Sequence, residues 1–258
     1  MKIAAEIVGR AIEADQQQVD KRWLMAYSAG LGETAYPHAL FPVCYEWPAT
    51  RLLRERAGLV PIDARLVHAQ HDLIIHRPPR EETLFISGKV VAALQRKPGV
   101  LVVYRFETRD AKGEPVSTTD FSALYRGAQL EGAERVLDKV EDPPKHSQAL
   151  KPAGEIQVAA TAAHVYTECA RIWNPIHTDV DYARAAGLPD IILHGTATLA
   201  LSVSRLGMKS VRRIRCRFAG MVTMPSTLTV HASREGDAIT FETRNSQGET
   251  VIERGWIG

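Results

Sequence analysis

The chain has 258 residues, a formal net charge of +2, 45% hydrophobic residues and 24% charged residues, all typical of a globular protein of one or two domains. The balanced charge, and the lack of any zinc-finger, helix-turn-helix or RRM signature, argue against nucleic-acid binding. No apolar run approaches the ~18 residues of a membrane span, and the histidines show no metal-binding spacing, so we expect neither a membrane segment nor a metal. Three widely spaced cysteines favour a reducing compartment, and we predict a cytoplasmic protein.

The first part of the chain is predicted to be helical and then irregular. Residues 9–29 place Ile12, Val19 and Trp23 among polar residues, which predicts a helix capped by Asp15 or Asp20. Residues 30–49 are punctuated by Gly and Pro and predict a loop. Residues 50–56 predict one or two further helical turns.

Segments of strand character follow. Four of them, rich in β-branched and aromatic residues and separated by turn-like stretches, predict an antiparallel meander over residues 65–75, 82–92, 99–110 and 114–126. Residues 128–150 alternate in charge without an apolar face and predict an exposed linker. Four more strands are predicted near the end of the chain, at 212–218, 226–233, 237–244 and 249–256.

The chain contains an internal repeat. FETRDAKGEPV at 106–116 and FETRNSQGETV at 241–251 agree at seven of eleven positions, and each predicts a strand, a Gly-containing turn and a second strand. A weaker echo is that Tyr27 precedes His38 by the same eleven residues that separate Tyr166 from His177. The sequence therefore predicts two α+β halves, each with a helical segment followed by an antiparallel sheet.

The stretch from Tyr166 to Arg205 carries the chemical interest. Pro175 keeps Asn174 out of helical conformation, so His177 is presented from a bend, and Thr178 or Asp179 can cap a short helix after it. Further on, a small residue and a hydroxyl residue, Gly195 and Thr196, open an apolar helix. Backbone N–H groups at the positive end of that helix are suited to hold a carbonyl oxygen as it gains negative charge.

These motifs resemble the signature of the MaoC-like, (R)-specific enoyl-CoA hydratase family, which is Asn-Pro-x-His-x-Asp followed by Ile-x-His-Gly. The matching residues are Asn174, Pro175, His177, Asp179, Ile192, His194 and Gly195. The resemblance implies the hotdog fold, in which an antiparallel sheet wraps a central helix, and for this duplicated chain an α+β double hotdog. It implies a degenerate N-terminal hotdog over 1–130, a linker over 131–150 and a motif-bearing hotdog over 151–258.

The resemblance also implies roles for individual residues. His177 would be the acid–base group, and the Gly195 N–H would polarise a thioester carbonyl. Asn174 would either bond the substrate oxygen or hold the bend. A second set of residues would contact the substrate, namely Trp173, His194, Thr196, Ser202 and Arg215. Trp173 would line the acyl pocket or lie in the core, and His194 and Ser202 would contact the substrate or only pack. Arg215 alternates with Arg213 and Arg217 on a predicted strand, so it would meet the phosphates of coenzyme A or an acidic carrier protein, or face solvent.

One departure from the signature bears on function. The catalytic aspartate of the family would fall at Ile172, and the glycine before it at Arg171. Glu33, Glu168 and Asp179 are the acids that could compensate, although Asp179 also suits a helix cap.

The motifs and this departure together leave three candidate functions. The first is an acyl-thioester hydro-lyase that acts on a coenzyme A or carrier-protein substrate and needs no cofactor. The alternatives are a non-catalytic acyl-thioester binding protein and a hotdog thioesterase. Exposed sheet edges would also allow a homodimer.

Overall fold

A computed structural model describes residues 1–60, 66–208 and 210–258 of the chain. These residues form two compact units. The N-terminal unit comprises Met1–Val19, Tyr45–Arg77 and Glu81–Asp142, and the C-terminal unit comprises Asp20–Cys44, Pro78–Arg80 and Pro143–Gly258. The linear division at residues 130 and 150 stays a prediction, and the compact units are drawn from separated segments of the chain.

The described residues contain the following regular elements. The α-helices are α1 (Lys21–Gly30), α2 (Pro42–Arg56), α3 (Ala162–Ala170), α4 (Val180–Ala185) and α5 (Gly195–Leu206). The strands are β1 (Lys2–Ala4), β2 (Ala11–Val19), β3 (Leu66–Ile75), β4 (Glu82–Arg96), β5 (Gly99–Asp110), β6 (Pro115–Arg126), β7 (Gln129–Glu131), β8 (Arg135–Val136), β9 (Lys151–Val158), β10 (Arg213–Phe218), β11 (Ser226–Glu235), β12 (Ala238–Arg244) and β13 (Thr250–Ile257). Short 3-10 turns lie at Ala5–Ile7 and Pro175–His177. None of the described helices is long and apolar enough to cross a membrane.

The strands of the N-terminal unit pair in the order β2-β4-β5-β6-β3, and β8 pairs with part of β4. The predicted meander was wrong in one respect, because β3 pairs with β6 and not with β4, its neighbour in sequence. Arg65, at the start of that predicted strand, lies outside the described residues. Two short strands, β7 and β8, occur within the predicted linker, where β7 pairs in parallel with β1.

The helix predicted over residues 9–29 was wrong for its first half. Residues 11–19 form β2, which pairs antiparallel with β4, and only the second half is helical. Pairing along β4 satisfies the backbone of this polar segment and buries Ile12 and Val19, so tertiary context overrides the local pattern. The cap at Asp20 is confirmed, since its carboxylate accepts a hydrogen bond from the Trp23 N–H at 2.7 Å and starts α1.

Residues 42–56, predicted mostly as loop, form the helix α2. Pro42 suits the first helical position, because a backbone N–H there would have no acceptor within the helix and proline has none to lose. Pro48 is tolerated inside the helix. One face of α2 packs on β6. There the Glu46 carboxylate accepts hydrogen bonds from Thr119 Oγ1 at 2.8 Å and from Ser117 Oγ at 3.1 Å. This is a buried polar contact that the sequence pattern did not predict.

The pKa of Glu46 is raised to about 8 because burial disfavours its charge, against the stabilising bonds from Thr119 and Ser117. Its ordinary value is 4.5, so between pH 4.5 and 8 the folded state keeps a proton that the unfolded state has released. The contribution of Glu46 to the free energy of unfolding is therefore fully present below pH 4.5, and it is lost as the pH rises to about 8. We expect Glu46→Gln to abolish this loss and to stabilise the protein by a few kcal/mol at pH 8 and little at pH 5.

Urea unfolding at pH 5 and pH 8 measures this difference. Glu55→Gln is the matched control, because Glu55 lies on the same helix and is exposed. Identical pH dependence in wild type and Glu46→Gln would contradict the prediction, and any effect of histidine titration cancels because it is common to both proteins.

The repeat predicted from the sequence is confirmed in the backbone. Asp110 Oδ1 accepts from the N–H groups of Lys112 and Glu114 at 2.9 and 3.0 Å, and Asn245 Oδ1 accepts from the equivalent Gln247 and Glu249 at 3.1 and 2.9 Å. The turn glycines have matching positive φ angles, 82° at Gly113 and 80° at Gly248. The two hairpins, β5–β6 and β12–β13, are thus the same local structure used twice.

The strands of the C-terminal unit pair antiparallel in the order β10-β13-β12-β11-β9. The four strands predicted at the end of the chain are confirmed, and β9, which the sequence did not predict, pairs with β11 at the sheet edge. The helix α5 packs against this sheet, and Ser202 Oγ bonds Thr243 Oγ1 on β12 at 2.8 Å. The apolar side of α5 is buried.

Candidate active site

The bend begins where α3 ends. Arg171 adopts the left-handed conformation, with φ 57° and ψ 33°, and the Ile172 N–H bonds the Thr167 carbonyl at 3.1 Å to close the last turn. A glycine reaches this conformation without steric cost, whereas arginine does not. Arg171 instead lays its guanidinium over the ring of Trp23 at 4.2 Å, a cation–π contact. The position at which the family signature has glycine is therefore a left-handed helix cap.

Asn174 starts the 3-10 turn that carries His177. Its backbone is extended, with φ −145° and ψ 122°, as expected for a residue before proline. Its Oδ1 accepts a hydrogen bond from the Ile176 N–H at 3.4 Å. In this structure the Asn174 side chain therefore holds the bend, one of the two roles that the sequence left open.

His177 is fixed in position by the backbone. Its Nδ1 lies 2.7 Å from the Ile192 carbonyl oxygen, and because a carbonyl only accepts, the proton must sit on Nδ1. The lone pair is then on Nε2, which is the atom able to receive a proton. Burial, opposed by the Ile192 carbonyl, lowers the pKa of His177 to about 4, so the ring is neutral at pH 7.

His194 stacks on His177, with ring centroids 3.6 Å apart and an interplanar angle of 24°. Its Nε2 lies 3.3 Å from Thr167 Oγ1 on α3. Burial and the neighbouring His177 lower the pKa of His194 well below its ordinary value. The pair is therefore neutral, and His194 supports one face of the His177 ring.

The first turn of α5 follows directly. Gly195 is the first helical residue, and a Cβ there would lie 3.1 Å from the ring of Phe218, so the close packing of β10 requires a small residue. Its N–H is among the four at the helix start that have no partner within the helix. Thr196, the next residue, accepts a hydrogen bond from the Tyr166 hydroxyl at 3.0 Å. His177, His194, Gly195 and Thr196 are thus brought together.

Other predicted site residues lie elsewhere or have structural partners. Ser202 is fully buried two turns along α5 and donates to the Thr198 carbonyl at 2.8 Å. Arg215 is buried on β10, where a bulge interrupts the pairing before Arg217, which forms an ion pair with Glu253 at 3.0 Å. Trp173 is 60% exposed, so it is not part of the core.

The isoleucine that the resemblance places at the acid position of the signature is buried. Ile172 is 5% exposed and cannot exchange a proton. Asp179 caps α4 by accepting from the Tyr182 N–H at 2.9 Å, and Glu168 is exposed on α3. Within the described residues, neither these two acids nor Glu33 forms a hydrogen bond or ion pair with His177.

Two tyrosines and a histidine near α5 were not predicted to belong to the site. Tyr27 on α1 and Tyr166 on α3 are buried with their hydroxyl oxygens 3.3 Å apart, and Tyr166 continues to Thr196. His38 Nε2 lies 3.1 Å from Ser204 Oγ on the same helix. Thr196 and Ser204 are eight residues apart and share a helix face. The equal spacing from Tyr27 to His38 and from Tyr166 to His177 was the signal for this arrangement.

Comparison with known proteins shows what this site is similar to. Residues 141–254 match the family model for the MaoC like domain. This part of the chain is therefore similar to the MaoC like domain. The match covers α3, the bend at Asn174 and α5, and so includes His177, His194, Gly195 and Thr196.

Two relatives cover most of the chain. The peroxisomal multifunctional enzyme type 2 of Drosophila melanogaster is 26% identical over 283 residues, which spans 96% of this chain and 45% of that enzyme. The enzyme of the same name from Mus musculus is 27% identical over 221 residues, which spans 80% of this chain and 29% of the enzyme. The chain therefore spans less than half the length of these relatives.

Solved structures show the fold. A MaoC-like dehydratase from Phytophthora capsici superposes with a TM-score of 0.80 at 18% identity, covering 98% of this chain and 97% of that one. A Mycobacterium tuberculosis protein described as a double hotdog fold superposes with a TM-score of 0.63 at 14% identity, covering 97% and 94%. The chain is a double hotdog of the α+β class, as the resemblance implied.

Proposed function

We propose that this MaoC-like protein is a hydro-lyase that adds water to, or removes it from, the double bond of an acyl thioester carried by coenzyme A or a carrier protein. The observation that supports this most strongly is the His177 imidazole, fixed through Nδ1, beside the first turn of α5. The match to the MaoC like domain supports the same proposal, as does a relative from Arabidopsis thaliana, 24% identical over 210 residues, that is named peroxisomal enoyl-CoA hydratase 2. A cytoplasmic location and a homodimer remain predictions.

The chemistry needs one base and one electrophilic contact. For hydration, His177 Nε2 takes a proton from water while the water oxygen bonds the β-carbon of the enoyl group. The electron pair of the double bond moves toward the thioester oxygen, which gains negative charge and accepts a hydrogen bond from the Gly195 N–H. The proton on Nε2 then passes to the α-carbon, so one H and one OH have been added.

Ile172 makes His177 carry both proton transfers. A pKa of about 4 makes the imidazolium a strong acid toward the α-carbon, but makes the imidazole a weak base toward water. We therefore propose a slow hydro-lyase, or one whose substrate has an activated double bond. Glu33, Glu168 or Asp179 would be needed as a second acid only if the pH profile showed one.

A binding protein without activity is the second candidate. The observation that favours it is the buried Ile172 at the place of the acid. Under this reading the acyl thioester would bind at the same first turn of α5, and His177 would serve packing alone. A thioesterase is the third candidate; it would use the same carbonyl contact but release free thiol.

A hydration assay separates these candidates. Short, branched and medium-chain enoyl-CoA substrates are followed by loss of the conjugated absorbance, with free thiol measured in parallel. We expect loss of absorbance without thiol, and a kcat/KM that is level from about pH 6 to 8 and falls only toward pH 4, because His177 must be neutral. Thiol release would indicate the thioesterase, and binding without turnover would indicate the binding protein.

A further inference from the structure

A chain of three hydroxyl groups ends at the candidate site. It begins at Tyr27 on α1, passes through Tyr166 on α3 and ends at Thr196 in the first turn of α5. The two oxygen–oxygen distances are 3.3 Å and 3.0 Å. Both phenol side chains are almost completely buried, whereas Thr196 is half-buried. The chain thus leads from the protein interior toward the more accessible end of the helix.

The direction in which the three hydroxyl groups donate follows from the number of protons that they carry. Each hydroxyl has one proton to donate. Tyr166 donates its proton to Thr196, so its own oxygen must accept from Tyr27 if the two phenols are bonded. Thr196 then accepts from Tyr166 and keeps its own proton to donate. Among the described residues, none accepts that proton.

Hydrogen bonds arranged head to tail polarise one another, more so in a buried environment. Thr196 is therefore a stronger donor than an isolated threonine, and it lies next to Gly195 at the positive end of α5. The two hydroxyl–hydroxyl bonds thus make the Thr196 hydroxyl a stronger donor at the place where a carbonyl oxygen would gain charge.

We propose that Tyr27 and Tyr166 are positioning residues that orient and polarise the Thr196 hydroxyl as a second donor, beside the Gly195 N–H, to the thioester oxygen. This rests on the proposed function for its substrate. It assigns the electrophilic part of the site to a side chain in addition to the backbone. A site without the usual carboxylate then has more carbonyl polarisation to support catalysis by His177 alone.

Binding of para-dimethylaminocinnamoyl-coenzyme A tests the proposal without requiring turnover. Polarisation of its thioester carbonyl shifts the absorbance of the conjugated group to longer wavelength. We expect a red shift with the wild type that is strongly reduced in Thr196→Val, where only the Gly195 N–H remains as a donor. The shift should be kept in Thr196→Ser, reduced in Tyr166→Phe and reduced less in Tyr27→Phe. In hydration, kcat would fall about 10²-fold for Thr196→Val and about 10-fold for Tyr166→Phe, with little change in KM.

Tyr104→Phe is the matched control. It breaks another buried pair of tyrosine hydroxyls, Tyr104 and Tyr125 at 2.8 Å, within the N-terminal unit. We expect it to lower stability and to leave the red shift unchanged. A wild-type red shift in Tyr166→Phe would overturn the proposal. A red shift that depends on Tyr166 in a protein without turnover would uphold the hydroxyl chain and reject the hydro-lyase.

Discussion

Replacing His177 by alanine is expected to lower the hydration kcat by about 10²–10⁴-fold, the usual cost of losing a general acid–base group. His177→Asn should be equally inactive, although its amide nitrogen can replace Nδ1 as the donor to the Ile192 carbonyl. The two variants together separate the chemical role of Nε2 from the structural role of Nδ1. The absorbance assay of enoyl-CoA hydration measures both.

The matched control for this prediction is His164→Ala, because His164 is exposed on α3 and outside the site. It should keep wild-type kcat. If His177→Asn kept wild-type turnover while His177→Ala lost it, the imidazole would be a structural group and the proton transfers would belong to another residue. Thermal melting of each variant confirms that the folded protein is being compared.

Placing an acid at position 172 is expected to raise kcat by about 10²-fold or more, since a positioned general acid contributes on this scale. Ile172 is buried, so the carboxyl of Ile172→Asp would be held toward its neutral, proton-donating form. The same burial predicts a lower Tm, because an apolar side chain is replaced by a polar one. Hydration kinetics and a melting curve measure the two effects.

Ile172→Asn is the control for that substitution. It has nearly the shape of aspartate but cannot donate a carboxyl proton, so it should share the loss of stability without the gain in rate. Equal rates for the Asp and Asn variants would show that an acid at position 172 does not reach the substrate. A gain from an inactive wild type would identify the natural protein as an acyl-thioester binder.

The local chemistry of the site was predictable because short-range rules determine it. Pro175 forces Asn174 into extended backbone, Asp179 caps the next helix, and the repeated FETR hairpins follow from their Asx turns and glycines. The approach of His194 to His177 needed the tertiary structure, since the two rings are separated by sixteen residues and a helix.

Other features escaped the sequence because their partners are distant along the chain. The strand β2 forms by pairing with the edge of β4. On α2, Glu46 binds the hydroxyl groups of Ser117 and Thr119, which are more than seventy residues away in the sequence. The hydroxyl bond between Tyr27 and Tyr166 spans 139 residues. No local period encodes such contacts, although the equal spacing of tyrosine and histidine in the two halves hinted at the last one.

The discontinuous make-up of the C-terminal unit limits how this protein can be cut and recombined. A gene fragment for residues 143–258 alone would omit Asp20–Cys44, and with it α1, which packs on α3. Tyr166 would then lose its hydrogen bond with the Tyr27 hydroxyl, and Ser204 would lose its hydrogen bond with His38 Nε2. The two halves of the sequence therefore cannot simply be exchanged. Any split, fused or recombined version of the protein must keep residues 20–44 together with the C-terminal part.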